Sequence, residues 1–150
     1  MFKKLFLALL GIAIATSVAF ASPVSINLIA ETQLDDDPTS ITGTWGVSDF
    51  EKVGFWVEYD ETEVGNSISV AVTMHFSYDN TNWVSGYFYD LAGGLTTQTS
   101  ETLSSDGWYF CWLNSIIGNP MPTYVRLTIT ATNSDADDLA TVTAYLVGVK

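Results

Sequence analysis

Basic residues, histidine and cysteine are all scarce in this chain. Five Lys and Arg stand against 17 Asp and Glu over 150 residues, a formal net charge of −12, with one His and one Cys. That balance repels phosphate backbones and anionic lipid, so nucleic acid and membrane-surface partners are disfavoured. A single cysteine excludes an internal disulfide framework. Cys111 lies in Trp108-Tyr109-Phe110-Cys111-Trp112 and reads as a buried apolar residue. A zinc centre or a histidine-assisted nucleophile would have to rest on His75 alone. A glycosidase needs two carboxylates across a cleft, and no defensible strand register places a second acid opposite Glu58. The expectation is therefore a protein that is not an enzyme.

What is present first is an export signal. Lys3 and Lys4 precede an unbroken apolar stretch from Leu5 to Ala15, and Ala19-Phe20-Ala21 has the small-x-small pattern of a cleavage site. The stretch is short for a bilayer span, and no second long apolar run follows. Residues 1–21 read as a Sec-type signal peptide and residues 22–150 as one domain, secreted or periplasmic. Ser22 rather than Cys at the start of the domain, and no apolar C-terminal tail, argue against a lipid or membrane anchor. Cleavage leaves three basic residues, Lys52, Arg126 and Lys150, against the same 17 acids.

The rest of the chain alternates with period two. Ser67–Ser77, Val53–Tyr59, Tyr124–Thr132 and Leu139–Val149 are the clearest strands; Val24–Ala30, Ser40–Val47, Trp83–Tyr89, Thr96–Leu103 and Trp108–Leu113 are weaker ones. Turn-forming clusters such as Tyr78-Asp79-Asn80-Thr81-Asn82 and Ser104-Ser105-Asp106-Gly107 separate them. About eight or nine short strands, each with one apolar face, predict an all-β antiparallel sandwich of jelly-roll type.

A turn over Tyr78–Asn82 sets His75 opposite Ser85 and Phe76 opposite Val84, and continues with Val72 opposite Phe88. Pairing Tyr59 with Ile68 on the other side would complete a three-stranded meander with all apolar residues on one face. Its other face would gather Trp56, His75, Trp83, Tyr87 and Tyr89 over small side chains. Aromatic rings around a floor of small residues form a surface on which sugar rings lie, with hydroxyls bonded by polar neighbours.

Two further features invite function. Asp35-Asp36-Asp37 and Asp135, Asp137 and Asp138 are clusters of hard oxygen ligands that would suit calcium, the only cofactor the sequence raises; solvated turns account for both without a metal and are the favoured reading. Val24, Ile26, Leu28 and Ala30 alternate directly after the cleavage site, as a strand that completes its own sheet or a neighbour's would.

The segment His75-Phe76-Ser77-Tyr78-Asp79-Asn80-Thr81-Asn82-Trp83 resembles hairpins of virion and tail-associated β-sandwiches. Tyr124-Val125-Arg126-Leu127-Thr128-Ile129-Thr130-Ala131-Thr132 is similar to the closing strand pair of such domains. Carbohydrate-binding modules share that architecture, so the resemblance speaks to fold and not to ligand. The combined expectation is an exported, non-enzymatic structural or self-assembling protein, its partner another copy of itself. The alternative is a carbohydrate-binding module whose partner is a polysaccharide.

Overall fold

The computed structural model describes residues 23–34, 40–61, 68–89, 97–113, 121–131 and 139–150. Every predicted strand forms. In chain order they are β1 (Val24–Leu34), β2 (Ser40–Gly46), β3 (Lys52–Glu61), β4 (Val70–Ser77), β5 (Val84–Ser85), β6 (Phe88–Tyr89), β7 (Thr97–Gln98), β8 (Ser100–Leu103), β9 (Gly107–Trp112), β10 (Tyr124–Ala131) and β11 (Ala140–Val149). Among the described residues the count is eleven because two of the predicted runs each break in the middle.

The strands build an antiparallel β-sandwich. One sheet has the order β1-β11-β3-β9; the other has β2-β10-β4-β5, with β8 also paired to β4. Alternation decides which face each strand buries. Val53, Phe55, Val57 and Tyr59 of β3 and Ala140, Val142, Ala144 and Leu146 of β11 are buried from the first sheet. Val70, Val72 and Met74 of β4 and Val125, Leu127, Ile129 and Ala131 of β10 answer them from the second. Phe88, on the small β6–β7 ribbon, and Cys111 fill the gap among Phe55, Val57, Val72, Met74 and Leu127. Cys111 is thus the buried residue its apolar setting suggested, and burial pushes its thiol pKa up to about 12.

The meander does not form. β3 pairs with β11 and β9 in one sheet, while β4 pairs with β10, β5 and β8 in the other. Tyr59 and Ile68 do meet, but across the sandwich: the Tyr59 hydroxyl donates to the Ile68 carbonyl. Parity cannot separate the two arrangements. Strands side by side and strands facing each other across a core both require the same alternate residues inside.

The β4–β5 hairpin has the expected register, His75 opposite Ser85 and Phe76 opposite Val84. It then stops. Gly86 donates its N–H to the Met74 carbonyl at 2.8 Å, and β8 takes over the edge of β4, so Val72 faces Glu101 instead of Phe88. Val84, expected inside, is 63% exposed.

β1 lies at the edge of the first sheet and bends. Its ladder with β11 shifts register on both sides of Ile29, which is where the apolar alternation of Val24, Ile26 and Leu28 gives way to buried Ile29 and Leu34. Ala30 lies exposed in that irregular stretch. Here β1 reaches the second sheet: a Cβ on Gly43 of β2 would sit 2.5 Å from the Leu28 carbonyl oxygen. The predicted N-terminal strand is therefore built into its own sandwich and closes one side of it.

Candidate functional site

The first sheet carries an aromatic outer face assembled by register. Asn27, Tyr145, Trp56 and Phe110 form one cross-strand row over β1, β11, β3 and β9. Ser25, Val147, Gly54 and Trp112 form the next row on one side, and Thr143, Glu58 and Trp108 the row on the other. Each aromatic is outward because its strand neighbours are inward: Trp56 lies between Phe55 and Val57, and Trp108, Phe110 and Trp112 alternate with Tyr109 and Cys111. Trp56, Trp108 and Trp112 are 39%, 54% and 39% exposed.

The rings pack on one another. The Trp56 and Phe110 centroids are 4.8 Å apart, Phe110 meets Trp112 edge-on at 5.0 Å, and Trp108 stands at 76° to Trp56 at 6.1 Å. Such offset and edge-to-face contacts are the preferred geometries of aromatic pairs. Gly54 makes room for them, since a Cβ there would fall 3.1 Å from both the Phe110 and Trp112 rings and 2.7 Å from the Cys111 carbonyl oxygen. Between Trp56, Trp108, Tyr145 and Ser25 lies an open groove of about 390 Å³. That size is within the ~300–1,000 Å³ typical of small-molecule sites, and mostly apolar walls with a few hydroxyls are their usual lining.

The five ligand-binding residues expected from the sequence do not share a surface. Trp56 belongs to the groove. His75 and Trp83 are on the outer face of the second sheet, and Tyr87 and Tyr89 lie near the β6–β7 ribbon, exposed and half-buried respectively. They part because β3 and β4 belong to different sheets. Sequence reasoning missed Trp108, Phe110, Trp112 and Tyr145. The signal for the first three was available, as Trp-x-Phe-x-Trp is itself a period-two aromatic face.

On the second sheet, Thr44, Arg126, His75 and Ser85 form one outward row across β2, β10, β4 and β5. The Arg126 guanidinium lies 4.1 Å from the Trp83 ring centroid. His75 has its pKa lowered by burial first and by neighbouring Arg126 second. The hairpin turn fixes Trp83: Asp79 Oδ1 accepts the N–H groups of Thr81 and Asn82 at 2.9 and 2.7 Å, and Asn80 adopts the left-handed φ of 58°. Those bonds hold the Asp79 carboxyl well below the usual carboxylate range. Further rows of this face are hydroxyl-rich, with Ser40 bonded to Thr130 at 2.8 Å and Thr42 to Thr128 at 3.2 Å.

The signal segment 1–21 and the two acidic clusters, Asp35, Asp36 and Asp37 and Asp135, Asp137 and Asp138, lie outside the described residues. Among the described residues no three His, Cys, Asp or Glu side chains come together as metal ligands would.

No protein-family model matches the sequence, and no curated protein matches it either. Solved structures do match in shape. A prophage-derived protein, YomS from SPBc2, superposes with a TM-score of 0.52 at 10% identity over 89% of this chain and 99% of its own. The structure of the infectious bursal disease virus Gx strain gives 0.46 at 12% identity, with 34% of that chain covered. The enzymatically active domain of tailspike protein 4 from bacteriophage CBA120 gives 0.38 at 12% identity, with 20% of that chain covered. The likeness to the prophage-derived protein is one of fold alone, that of an antiparallel β-sandwich.

Proposed function

We propose that the protein is an exported, non-enzymatic binding domain that takes a carbohydrate ring in the aromatic groove of its first sheet. The observation that carries this reading is the groove itself, walled by Trp56, Trp108 and Tyr145 and edged by Ser25. Sugar rings present C–H faces to indoles and hydroxyls to Ser and Tyr oxygens, which is the chemistry this groove offers. The rings already brace one another, so little side-chain freedom is lost on binding. A contiguous exposed aromatic patch needs a partner in any case.

Retention of the purified protein in native gels cast with neutral polysaccharides tests the reading. The parent should be slowed by at least one of them, and Trp56→Ala should abolish the retardation while preserving the fold. Equal mobility of parent and variant in every gel would contradict it.

A second reading, self-assembly through β1, is favoured by the position of that strand. It is an edge strand held by β11 on one side, with Val24, Ile26 and Leu28 only half-buried. Sedimentation of the protein across a wide concentration range distinguishes the two, since assembly requires a mass that grows with concentration and glycan binding does not.

A further inference from the structure

Among the described residues, Arg126 is the only cation set in the interior of a strand. Lys52 begins β3 and Lys150 follows β11, whereas Arg126 lies in the interior of β10. Its guanidinium is stacked on the Trp83 ring at 4.1 Å, which covers one face and leaves the in-plane N–H donors unanswered by the ring. Asp79, the carboxylate of the turn that leads to Trp83, is already committed, its oxygens accepting from Thr81, Asn82 and Ser77.

His75 faces Arg126 directly across the ladder. Its Nδ1 is buried and bonded to nothing among the described residues. His75 is half-buried, and a neutral imidazole with its proton on Nε2 presents a donor beside the guanidinium even when uncharged. Thr44 and Ser85, both exposed, extend the same row with hydroxyls on either side. The row therefore offers donors at every position and a positive charge at its centre. Its complement is an oxyanion that can accept in-plane from guanidinium and imidazole together.

We propose that Arg126, His75, Thr44 and Ser85, with Trp83 holding the guanidinium in place, form a second site that binds the carboxylate of an acidic sugar. It lies on the opposite face of the sandwich from the aromatic groove and does not depend on it. Arg126 takes the carboxylate through two parallel N–H bonds, His75 Nε2–H supplies a third, and the flanking hydroxyls meet the sugar's own. The acidic surface elsewhere repels anions, so binding is confined to this row.

His75 is the chain's only histidine, which makes its imidazole resonance an unambiguous reporter. Titrating the protein with glucuronate while following that resonance should give a saturable shift, and glucose at the same concentrations should give none. Arg126→Gln should weaken the glucuronate response at least about tenfold. Arg126→Lys, which retains charge and covers the same surface, should restore part of it. An unmoved His75 resonance in the parent would overturn the proposal. So would a shift that glucose produces equally, or one that inorganic phosphate produces and glucuronate does not.

Discussion

Trp108, on the edge strand β9, stacks on Tyr145 of β11 with centroids 6.3 Å and planes 25° apart, spanning the intervening strand β3. Thr143, in one outward row with Glu58 and Trp108, is 6% exposed, although it lies on an outer face that would otherwise leave a threonine in water. The stack turns three separate strands into one wall of the groove. Trp108→Ala should remove that wall and cut glycan affinity by about 2 kcal/mol or more, the scale of a central aromatic in a binding site. Because the ring is 54% exposed, stability to urea should change by less than ~1 kcal/mol. Loss of binding together with loss of the cooperative transition would place Trp108 in the fold instead.

Tyr59 ties the two sheets together through its hydroxyl and the Ile68 carbonyl. Tyr59→Phe keeps the buried ring and removes the hydroxyl that donates to the Ile68 carbonyl, so destabilisation of about 1–2 kcal/mol is expected from urea denaturation. A variant as stable as the parent would mean the bond contributes nothing net.

Gly43 permits the close crossing of β1 over β2. Gly43→Ala places a Cβ 2.5 Å from the Leu28 carbonyl oxygen, where backbone and not a flexible side-chain end must yield. A cost of about 1–3 kcal/mol is expected from thermal or urea unfolding. If β1 can detach and pair with another copy, this variant should also sediment as larger species; a destabilised monomer speaks against the assembly reading.

Cys111 is buried, and its thiol is pushed up to about 12. The thiolate is the reactive form, so a thiol reagent at pH 8 should leave the folded protein unlabelled and label it fully in denaturant. Rapid labelling under native conditions would contradict the burial of this residue between the sheets.

Two groups should make stability fall in acid. The folded-state pKa of Asp79 is depressed by the turn's N–H donors, so its contribution is complete above the unfolded carboxylate range and is lost as pH drops below it. His75 is also depressed, by burial and Arg126, and its contribution is complete above about 6.5 and declines as pH falls from there. Stability measured from pH 7.5 to 5 should therefore fall less in His75→Gln than in the parent. Parallel pH profiles would refute the assignment.

The strands and their inward residues were legible because alternation is a local property. Val53, Phe55, Val57 and Tyr59 must share a face whatever lies beside β3, and they do. The β4–β5 register was legible too, since a turn anchored by Asp79 and Asn80 fixes which residues oppose each other. Which strand neighbours β3 was not legible. Its partners β11 and β9 are distant in sequence, and parity of apolar residues is the same for a neighbour in the sheet and a strand across the core. The site followed from that choice. Trp56 was correctly placed outward, but its companions Trp108, Phe110 and Tyr145 depend on pairings that only the folded chain reveals.

The most direct test of the aromatic groove uses the five tryptophans as reporters. Each indole N–H gives one signal in a nitrogen–proton correlation spectrum, assignable by single substitution. Titration with a neutral oligosaccharide on which the protein is retained should move the Trp56 and Trp108 signals together and saturably, leaving Trp83 and Trp45 in place. Movement of Trp83 or Trp45 with Trp56 and Trp108 unchanged would contradict the account.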